Sequence, residues 1–215
     1  MNFLWDNHTV ILNAFGEGLK LSGLAAIISL VVGTLLAVLR VSPVAPLRWV
    51  GTGYVSVLRN TPLVLCFMVF TSAIPRLGFT AEPMTWAIWA LSAYTAAFVC
   101  EAVRAGILSV PRGQAEAARA VGMTFGQSMR FVILPQALRA SVPPLGNTMI
   151  AMWKNSTVAA GFGVAEAAGE LHDLLNDHAD KIWTLFIGIA VGYMVVVFVI
   201  SALFRVIERT WRVAA

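Results

Sequence analysis

The residues with the greatest capacity for chemistry form one polar run, Lys154-Asn155-Ser156-Thr157, inside an apolar stretch that covers 143–164. Asn147 is another amide in the same stretch. Polar side chains are costly to bury away from water, so their presence among apolar residues marks candidates for function. The Lys154 ammonium could attract a carboxylate, pair with Glu101, or snorkel towards water. The sequence leaves these three roles open.

Two further groups of polar residues lie at the ends of apolar runs. Glu101 and Arg104 are three residues apart, so they share one face of a helix and are expected to form a local salt bridge. Asn60 and Thr61 precede Pro62 at an expected helix start. Their side chains could cap that helix or line a pore, and the sequence favours neither role.

Other kinds of chemistry find no support in the sequence. No G-x-x-x-x-G-K-[ST] motif occurs, so this chain is not expected to bind ATP phosphates or another cofactor. The histidines are His8, His172 and His178, which form no catalytic cluster. His172 and His178 are six residues apart and do not share a helical face, so no metal site is predicted. We therefore expect that the chain is not an enzyme.

The amino-acid composition indicates whether water or membrane lipid surrounds these residues. The 215 residues are 59% hydrophobic and 12% charged, with mean hydropathy +0.79, whereas soluble proteins carry about 25% charged residues. The chain is therefore predicted to be embedded in membrane lipid. The net charge is +4, but the basic residues punctuate apolar runs instead of clustering on a soluble face. This pattern argues against nucleic acid and favours contact with anionic lipid.

Charge-free apolar runs of roughly 20 residues predict the membrane-spanning helices. The predicted fold is all-α, with a single membrane domain over 1–215 and five transmembrane helices. The fourth is the weakest, and Pro143-Pro144 is taken as its start because the first turn of a helix tolerates proline. The expected spans are 18–40, 54–76, 83–104, 142–164 and 182–206.

The distribution of arginine predicts the orientation of these spans, because short cytoplasmic loops are enriched in basic residues. Five spans with the N-terminus outside and the C-terminus in the cytoplasm leave only Lys20, Arg76 and Lys181 outside. The following arginines then lie inside: Arg40, Arg48, Arg59, Arg104, Arg112, Arg119, Arg130, Arg139, Arg205, Arg209 and Arg212. The last external loop is acidic and carries Glu166, Glu170, Asp173, Asp177 and Asp180.

The cytoplasmic stretch of about 109–140 has a different character. Residues 115–120 favour a helix, Gly122 is expected to end it, and a second helix is expected over 125–135 with a stop at Pro135. The pattern predicts a helix-turn-helix lying against the membrane. A connection of this length is uncommon in compact folds, which favours a docking element over an ordinary loop.

Residues of this stretch resemble the "EAA" loop of ABC importer permeases. That loop reads Glu-Ala-Ala, three residues, Gly, nine residues, Ile-x-Leu-Pro. The present chain has Gln114-Ala115-Glu116-Ala117-Ala118, then Gly122, then Val132-Ile133-Leu134-Pro135, with the same spacing. The single departure is Val132 in place of Ile.

Motifs outside the loop resemble the polar amino acid branch of these permeases. They lie at 59–63, 101–107, 144–147, 154–157 and 163–166. Together with Arg40-Val41-Ser42-Pro43-Val44, the whole arrangement is most similar to the glutamate-uptake permeases of actinobacteria. The resemblance covers nearly the full chain.

The resemblance implies a type I ABC importer permease in the bacterial cytoplasmic membrane, which moves a polar amino acid and in particular glutamate. The expected partners are separate ABC ATPase subunits that carry ATP and Mg²⁺, an extracytoplasmic substrate-binding protein, and a second permease. A heterodimer of permeases is favoured over a homodimer. The expected ATPase-coupling residues are Gln114, Glu116, Ala117, Ala118, Gly122 and Pro135.

The translocation path or gate is expected to include Asn60, Thr61, Glu101, Asn147, Lys154, Asn155, Ser156 and Thr157. An alternative function is a stand-alone secondary transporter or channel for a small polar solute. Such a protein would be expected to show inverted repeats or a buried site for a coupling ion, and the sequence shows neither.

Overall fold

A computed structural model describes residues 2–211, and these residues fold almost entirely into helices. Arg212, predicted to be cytoplasmic, lies outside the described residues. The all-α class predicted from the sequence is confirmed. The helices are α1 (Asn2–Asp6), α2 (His8–Val41), α3 (Ala45–Asn60), α4 (Leu63–Met68), α5 (Pro83–Ser109), α6 (Arg112–Ala120), α7 (Phe125–Ser128), α8 (Leu134–Asn155), α9 (Ala167–Asp177) and α10 (Ile182–Trp211).

Helix α5 is the centre of the fold and packs against both α2 and α8. The contacts are close because small residues lie where the helices approach. A Cβ on Gly33 would come within 2.6 Å of the Val99 side chain, and a Cβ on Gly106 would collide with the Ala137 carbonyl and Ser141 Oγ. Glycine is therefore required at both crossings, and α5 is fixed between its neighbours by shape.

Three apolar helices among residues 2–211 are long enough to cross a membrane: His8–Val41, Pro83–Ser109 and Ala179–Trp211. The third leaves most of its apolar side chains exposed, which suits contact with lipid or with another membrane protein. A fourth candidate is the bent pair Ala45–Asn60 and Leu63–Leu77, whose two parts meet at 109°. The predicted count of five spans and their orientation stay predictions.

The predicted span over 54–76 does not form one unbroken helix, and whether it crosses the membrane stays a prediction. Helix α3 ends at Asn60, and Thr61 is extended with φ −98° and ψ 131°. The residue before a proline is pushed out of the α region by the proline ring, so Pro62 forces this break at Thr61. The chain then resumes as α4, followed by a π-helical turn at Val69–Ala73 and a 3₁₀ turn at Pro75–Leu77.

The prediction that Pro143-Pro144 begins the fourth span is wrong, because both prolines lie inside α8. This helix begins at Leu134, and its α-helical part ends at Asn155, where a 3₁₀ segment, Ser156–Phe162, takes over. Its buried face packs on α5 along its length, and this burial keeps the helix continuous despite two missing amide donors. The buried residues of α8 are Ala137, Ser141, Val142, Leu145, Gly146, Met149, Met152 and Trp153.

In contrast to the prediction, Pro135 does not stop the second helix of the stretch of about 109–140. Helix α7 passes through a π-helical turn, Met129–Ile133, directly into α8, and Pro135 occupies the first turn of α8. The Leu134 amide donates to the Met129 carbonyl five residues earlier, so the missing amide of Pro135 falls where the helix changes from π-helical to α-helical hydrogen bonding.

The crossing of α5 and α8 predicts that Gly106→Ala destabilises the fold, because the added Cβ overpacks against the Ala137 carbonyl. The expected loss in free energy of unfolding is about 2 kcal/mol. Gly23→Ala is the matched control, since Gly23 also lies in a long helix but a Cβ there meets no atom within 4 Å. Thermal unfolding of the detergent-solubilised protein would measure both variants. Equal melting temperatures for the two would contradict the close contact.

Candidate functional site

Glu101 is surrounded by three arginines from three helices. One carboxylate oxygen, Oε1, lies 2.7 Å from Nη1 of Arg40 on α2 and 3.2 Å from Nη1 of Arg59 on α3. The other oxygen, Oε2, lies 3.2 Å from Nη2 of Arg104 on α5 itself. The contact predicted between Glu101 and Arg104 is thus one of three. The partners 61 and 42 positions away in sequence could not be found from local spacing.

The three arginines outnumber their carboxylate, so this cluster keeps an excess of positive charge. Arg40 is the most enclosed, with 13% of its side chain exposed, and a Cβ on Gly51 would approach its Cγ to 2.7 Å. The Arg59 side chain is 47% exposed and lies over the Phe98 ring at 5.6 Å. Arg59 can therefore present charge to a ligand while one of its nitrogens stays on Glu101.

A groove runs between α5 and α8, and one of its lining residues, Phe98, lies under Arg59 of this cluster. It has a volume of about 320 Å³, at the lower end of the range for small-molecule sites. Two predicted residues, Asn147 and Asn155, line it. Sequence reasoning missed the others, although Tyr94 and Phe98 are four residues apart and share a face of α5. The lining residues are Tyr94, Thr95, Phe98, Asn147, Thr148, Ala151, Met152 and Asn155.

Lys154 lies at the end of α8 on the exposed side of the chain. Asn147 and Ala151 are also exposed, and their spacing puts all three along one face of the helix. Within residues 2–211 no carboxylate pairs with the Lys154 ammonium. The pairing with Glu101 that the sequence left open is not formed, because three arginines occupy both carboxylate oxygens.

The hydroxyl groups after Lys154 bond to the end of α8. Ser156 Oγ donates to the Trp153 carbonyl at 2.7 Å, and Thr157 Oγ1 donates to the Lys154 carbonyl at 2.9 Å. Ser156 is fully buried, so the structure does not bring it to the groove surface. Both hydroxyls hold the transition from α8 to the 3₁₀ segment.

Asn60 and Thr61 do not cap the helix that follows them. Asn60 Nδ2 donates to the Ser56 carbonyl at 2.7 Å, and Thr61 Oγ1 donates to the Val57 carbonyl at 2.8 Å. They satisfy carbonyls at the end of α3, which otherwise lack partners at a helix C-terminus. Capping at a helix start is therefore wrong for these residues. Thr61 also lines a large apolar cavity of about 790 Å³ on the inner side of the bend.

The stretch of about 109–140 exposes α6 on the surface of the described chain. Gln114, Glu116 and Ala117 are exposed, whereas Ala118 is buried against its own chain. Glu116 forms no ion pair with Arg112 or Arg119 in the described part of the chain, so its carboxylate is available to a partner. The rest of the described chain covers little of this short helix beyond Ala118.

The turn after α6 depends on Gly122, which has φ +83°, a conformation that favours glycine. Its amide donates to the Arg119 carbonyl at 2.9 Å, and the next amide, from Met123, returns to the Ala118 carbonyl at 3.1 Å. A capping box between Thr124 and Gln127 then starts α7. The position of α6 relative to α8 is thus set by local hydrogen bonds.

Comparison with known proteins is consistent with this arrangement. The model of the family described as "Binding-protein-dependent transport system inner membrane component" matches residues 29–213. The chain is 40% identical over 208 residues to the glutamate transport system permease protein GluC of Corynebacterium glutamicum, covering 91% of each chain. It is 37% identical to the probable glutamine ABC transporter permease protein GlnM of Bacillus subtilis, covering 97% of this chain and 96% of that one. A crystal structure of an amino acid ABC transporter with histidines superposes with a TM-score of 0.85 at 31% identity, covering 96% of each chain.

The cluster around Glu101 predicts that Glu101→Gln destabilises the protein, because three guanidinium groups lose the charge that holds them together. The expected loss is about 2 kcal/mol, reduced from that of a fully buried pair because Glu101 is partly exposed. Glu17→Gln is the control, since it breaks an exposed pair with Lys20. Its expected cost is about 0.3 kcal/mol. If thermal unfolding shows equal losses for both variants, the cluster is not a stabilising element.

Proposed function

Since the chain belongs to the family of binding-protein-dependent transport system inner membrane components, we propose that it is the permease subunit of an ATP-driven importer for a polar amino acid, with glutamate as the substrate. The protein is a multi-pass protein of the cytoplasmic membrane. The names of its relatives support an amino acid as the substrate, and GluC supports glutamate in particular.

The observation that carries this proposal is the exposed polar face of α8. Lys154 and Asn147 lie on a helix packed against the centre of the fold, yet the chain itself covers neither. A lysine facing lipid is costly, so this face must meet an aqueous path or another subunit. We place the path between this chain and a second permease, along the groove between α5 and α8. A related but different permease would complete it.

The groove suits an amino acid with a charged side chain. Amide groups from Asn147 and Asn155 can bond both the amino and carboxylate groups of the substrate, while Tyr94 and Phe98 provide an apolar wall. Lys154 and Arg59 are both positively charged, and they can attract a carboxylate of the substrate towards the two ends of the groove. The predicted path residues Asn60, Thr61, Glu101, Ser156 and Thr157 would then support or gate the groove.

Five crossings with the N-terminus outside would follow from α2, the bent pair α3–α4, α5, α8 and α10. In this arrangement the residues around 109–140 form a cytoplasmic coupling loop. Helix α6, with its exposed residues Gln114, Glu116 and Ala117, would seat on a separate ATPase subunit that binds ATP and Mg²⁺. Ala118, Gly122 and Pro135 would hold the loop in shape. ATP-driven closure of the ATPases would then reorient the helices as rigid bodies.

A stand-alone secondary transporter or channel is not favoured. Such a protein would have to enclose its own path, whereas the polar face of α8 is open.

The extracytoplasmic binding protein would deliver the substrate to the outer side of the assembled pair, and its selectivity would precede that of the permease.

The coupling role predicts that Gly122→Leu weakens binding of the ATPase. The substitution strains a backbone with positive φ and adds bulk beside α6, so about tenfold less ATPase should co-purify at limiting concentration. Gly78→Leu is a matched control, because Gly78 also has positive φ, 93°, and open space around it, but lies on the proposed outer side. Equal co-purification with both variants would contradict docking through this loop.

The path predicts that Lys154→Met lowers import without lowering assembly. Loss of a charged contact should reduce uptake by about tenfold or more. The measurement is uptake of labelled glutamate, glutamine and arginine by the reconstituted complex. Lys181→Met is the control, since Lys181 is exposed and paired with Asp180 at 2.7 Å. Absence of uptake of all three by the unaltered complex would overturn the proposed function, and normal uptake by Lys154→Met would remove Lys154 from the path.

A further inference from the structure

Glu166 is the residue directly before α9, and it belongs neither to the groove between α5 and α8 nor to the cluster around Glu101. It was expected in an exposed acidic loop, but its side chain is fully buried. Its Oε1 accepts hydrogen bonds from the amides of Ala168 and Gly169 at 3.0 and 3.1 Å, which caps the start of α9. Its Oε2 accepts a hydrogen bond of 2.5 Å from the Tyr193 hydroxyl on α10. No basic side chain in the described residues pairs with it.

Tyr193 connects this carboxylate to the residue that precedes Lys154. The Tyr193 ring lies 5.0 Å from the Trp153 ring and 5.4 Å from the Phe15 ring, measured between centroids. Gly18 leaves the space that the Trp153 ring occupies, since a Cβ there would be 3.4 Å from that ring. The stack therefore joins α2, α8 and α10 around one hydrogen-bonded carboxylate.

Trp153 is fully buried, and its Nε1–H has no acceptor in the described part of the chain. A buried donor without an acceptor is costly, so the indole is held by packing and not by a hydrogen bond of its own. The hydrogen bond from Tyr193 to Glu166 is then the directional interaction that fixes the stack. Because Lys154 is the next residue, a shift of the indole would move the end of α8.

We propose that Glu166 is a positioning residue which, through Tyr193 and Trp153, fixes the outer end of α8 so that Lys154 and Asn155 face the path. This proposal rests on the proposed function. It makes α9 and α10 part of the support for the groove, although none of their side chains lines it. It also assigns to one buried carboxylate two tasks: capping α9 and holding α10.

The substitutions at 166 and 193 separate these tasks. Glu166→Gln keeps the contacts, because its amide oxygen accepts from the two backbone amides and its NH₂ group donates to the Tyr193 oxygen. Glu166→Met keeps the length of the side chain and removes every contact. Tyr193→Phe removes only the hydroxyl and leaves the cap of α9 in place. Glu170→Gln is the control, since Glu170 lies in the same helix but does not contact Tyr193.

The readout is the amount of amino acid imported per ATP hydrolysed by the reconstituted complex, because a loss of folded complex lowers both rates together and leaves this ratio unchanged. We expect the ratio to fall about tenfold in Glu166→Met and Tyr193→Phe, and to stay near that of the unaltered protein in Glu166→Gln and Glu170→Gln. In the double variant, Tyr193→Phe should add nothing to Glu166→Met. An unchanged ratio in Glu166→Met and Tyr193→Phe overturns the proposal.

A second measurement does not depend on transport. The variant Asn155→Cys is made in a chain that also carries Cys66→Ala and Cys100→Ala. The rate at which the thiol at position 155 reacts with a water-soluble maleimide then reports the position of the end of α8. Tyr193→Phe should change this rate, and Glu170→Gln should not. An unchanged rate overturns the positioning role even if the complex imports no amino acid, whereas absence of import alone overturns only the proposed function.

Discussion

The structure depends on how charged and polar groups are satisfied in an apolar chain. A carboxylate removed from water must be paired or hydrogen-bonded, and the partly buried Glu101 and the fully buried Glu166 meet that requirement in different ways. Glu101 is bonded by three arginines, and Glu166 by two backbone amides and a tyrosine hydroxyl. Among residues 2–211, no side chain satisfies Lys154 or Asn147 in this way. The difference between the satisfied and the open groups locates the surface where another component is needed.

The two carboxylates also fix the helices that border the groove. Glu101 joins α2, α3 and α5 at one end, and Glu166 joins α9 and α10 beside the end of α8. Between them, the contacts of α5 with α2 and α8 rely on glycines at 33 and 106, where no larger residue fits. Close packing and directional hydrogen bonds therefore act on the same helices. Few residues line the groove between α5 and α8, but contacts among most of the helices keep those residues in position.

Much of the fold could be predicted from the sequence, because apolar runs of sufficient length leave few alternatives in a membrane. The helices α2, α5 and α10 correspond to predicted spans for that reason. The prediction failed at the prolines. Pro62 follows the end of helix α3 and interrupts the helical conformation, whereas helix α8 continues through Pro143 and Pro144. Proline disfavours a continuous helix at all of these positions, and the packing of α8 on α5 decides that α8 continues. The roles of Arg40, Arg59 and Glu166 could not be predicted, since their partners are distant in sequence and an acidic loop residue looks solvent-exposed.

The open face of α8 bears on how the protein is made. A newly inserted copy without its partner would turn the Lys154 ammonium towards lipid, where an unpaired charge is costly. Covering that face removes the cost, so pairing would stabilise each subunit by mass action. Under the proposed architecture, a solitary copy is the less stable species and a natural target for membrane proteases. The amounts of the two permeases would then stay matched, because a copy left unpaired in the lipid is unstable.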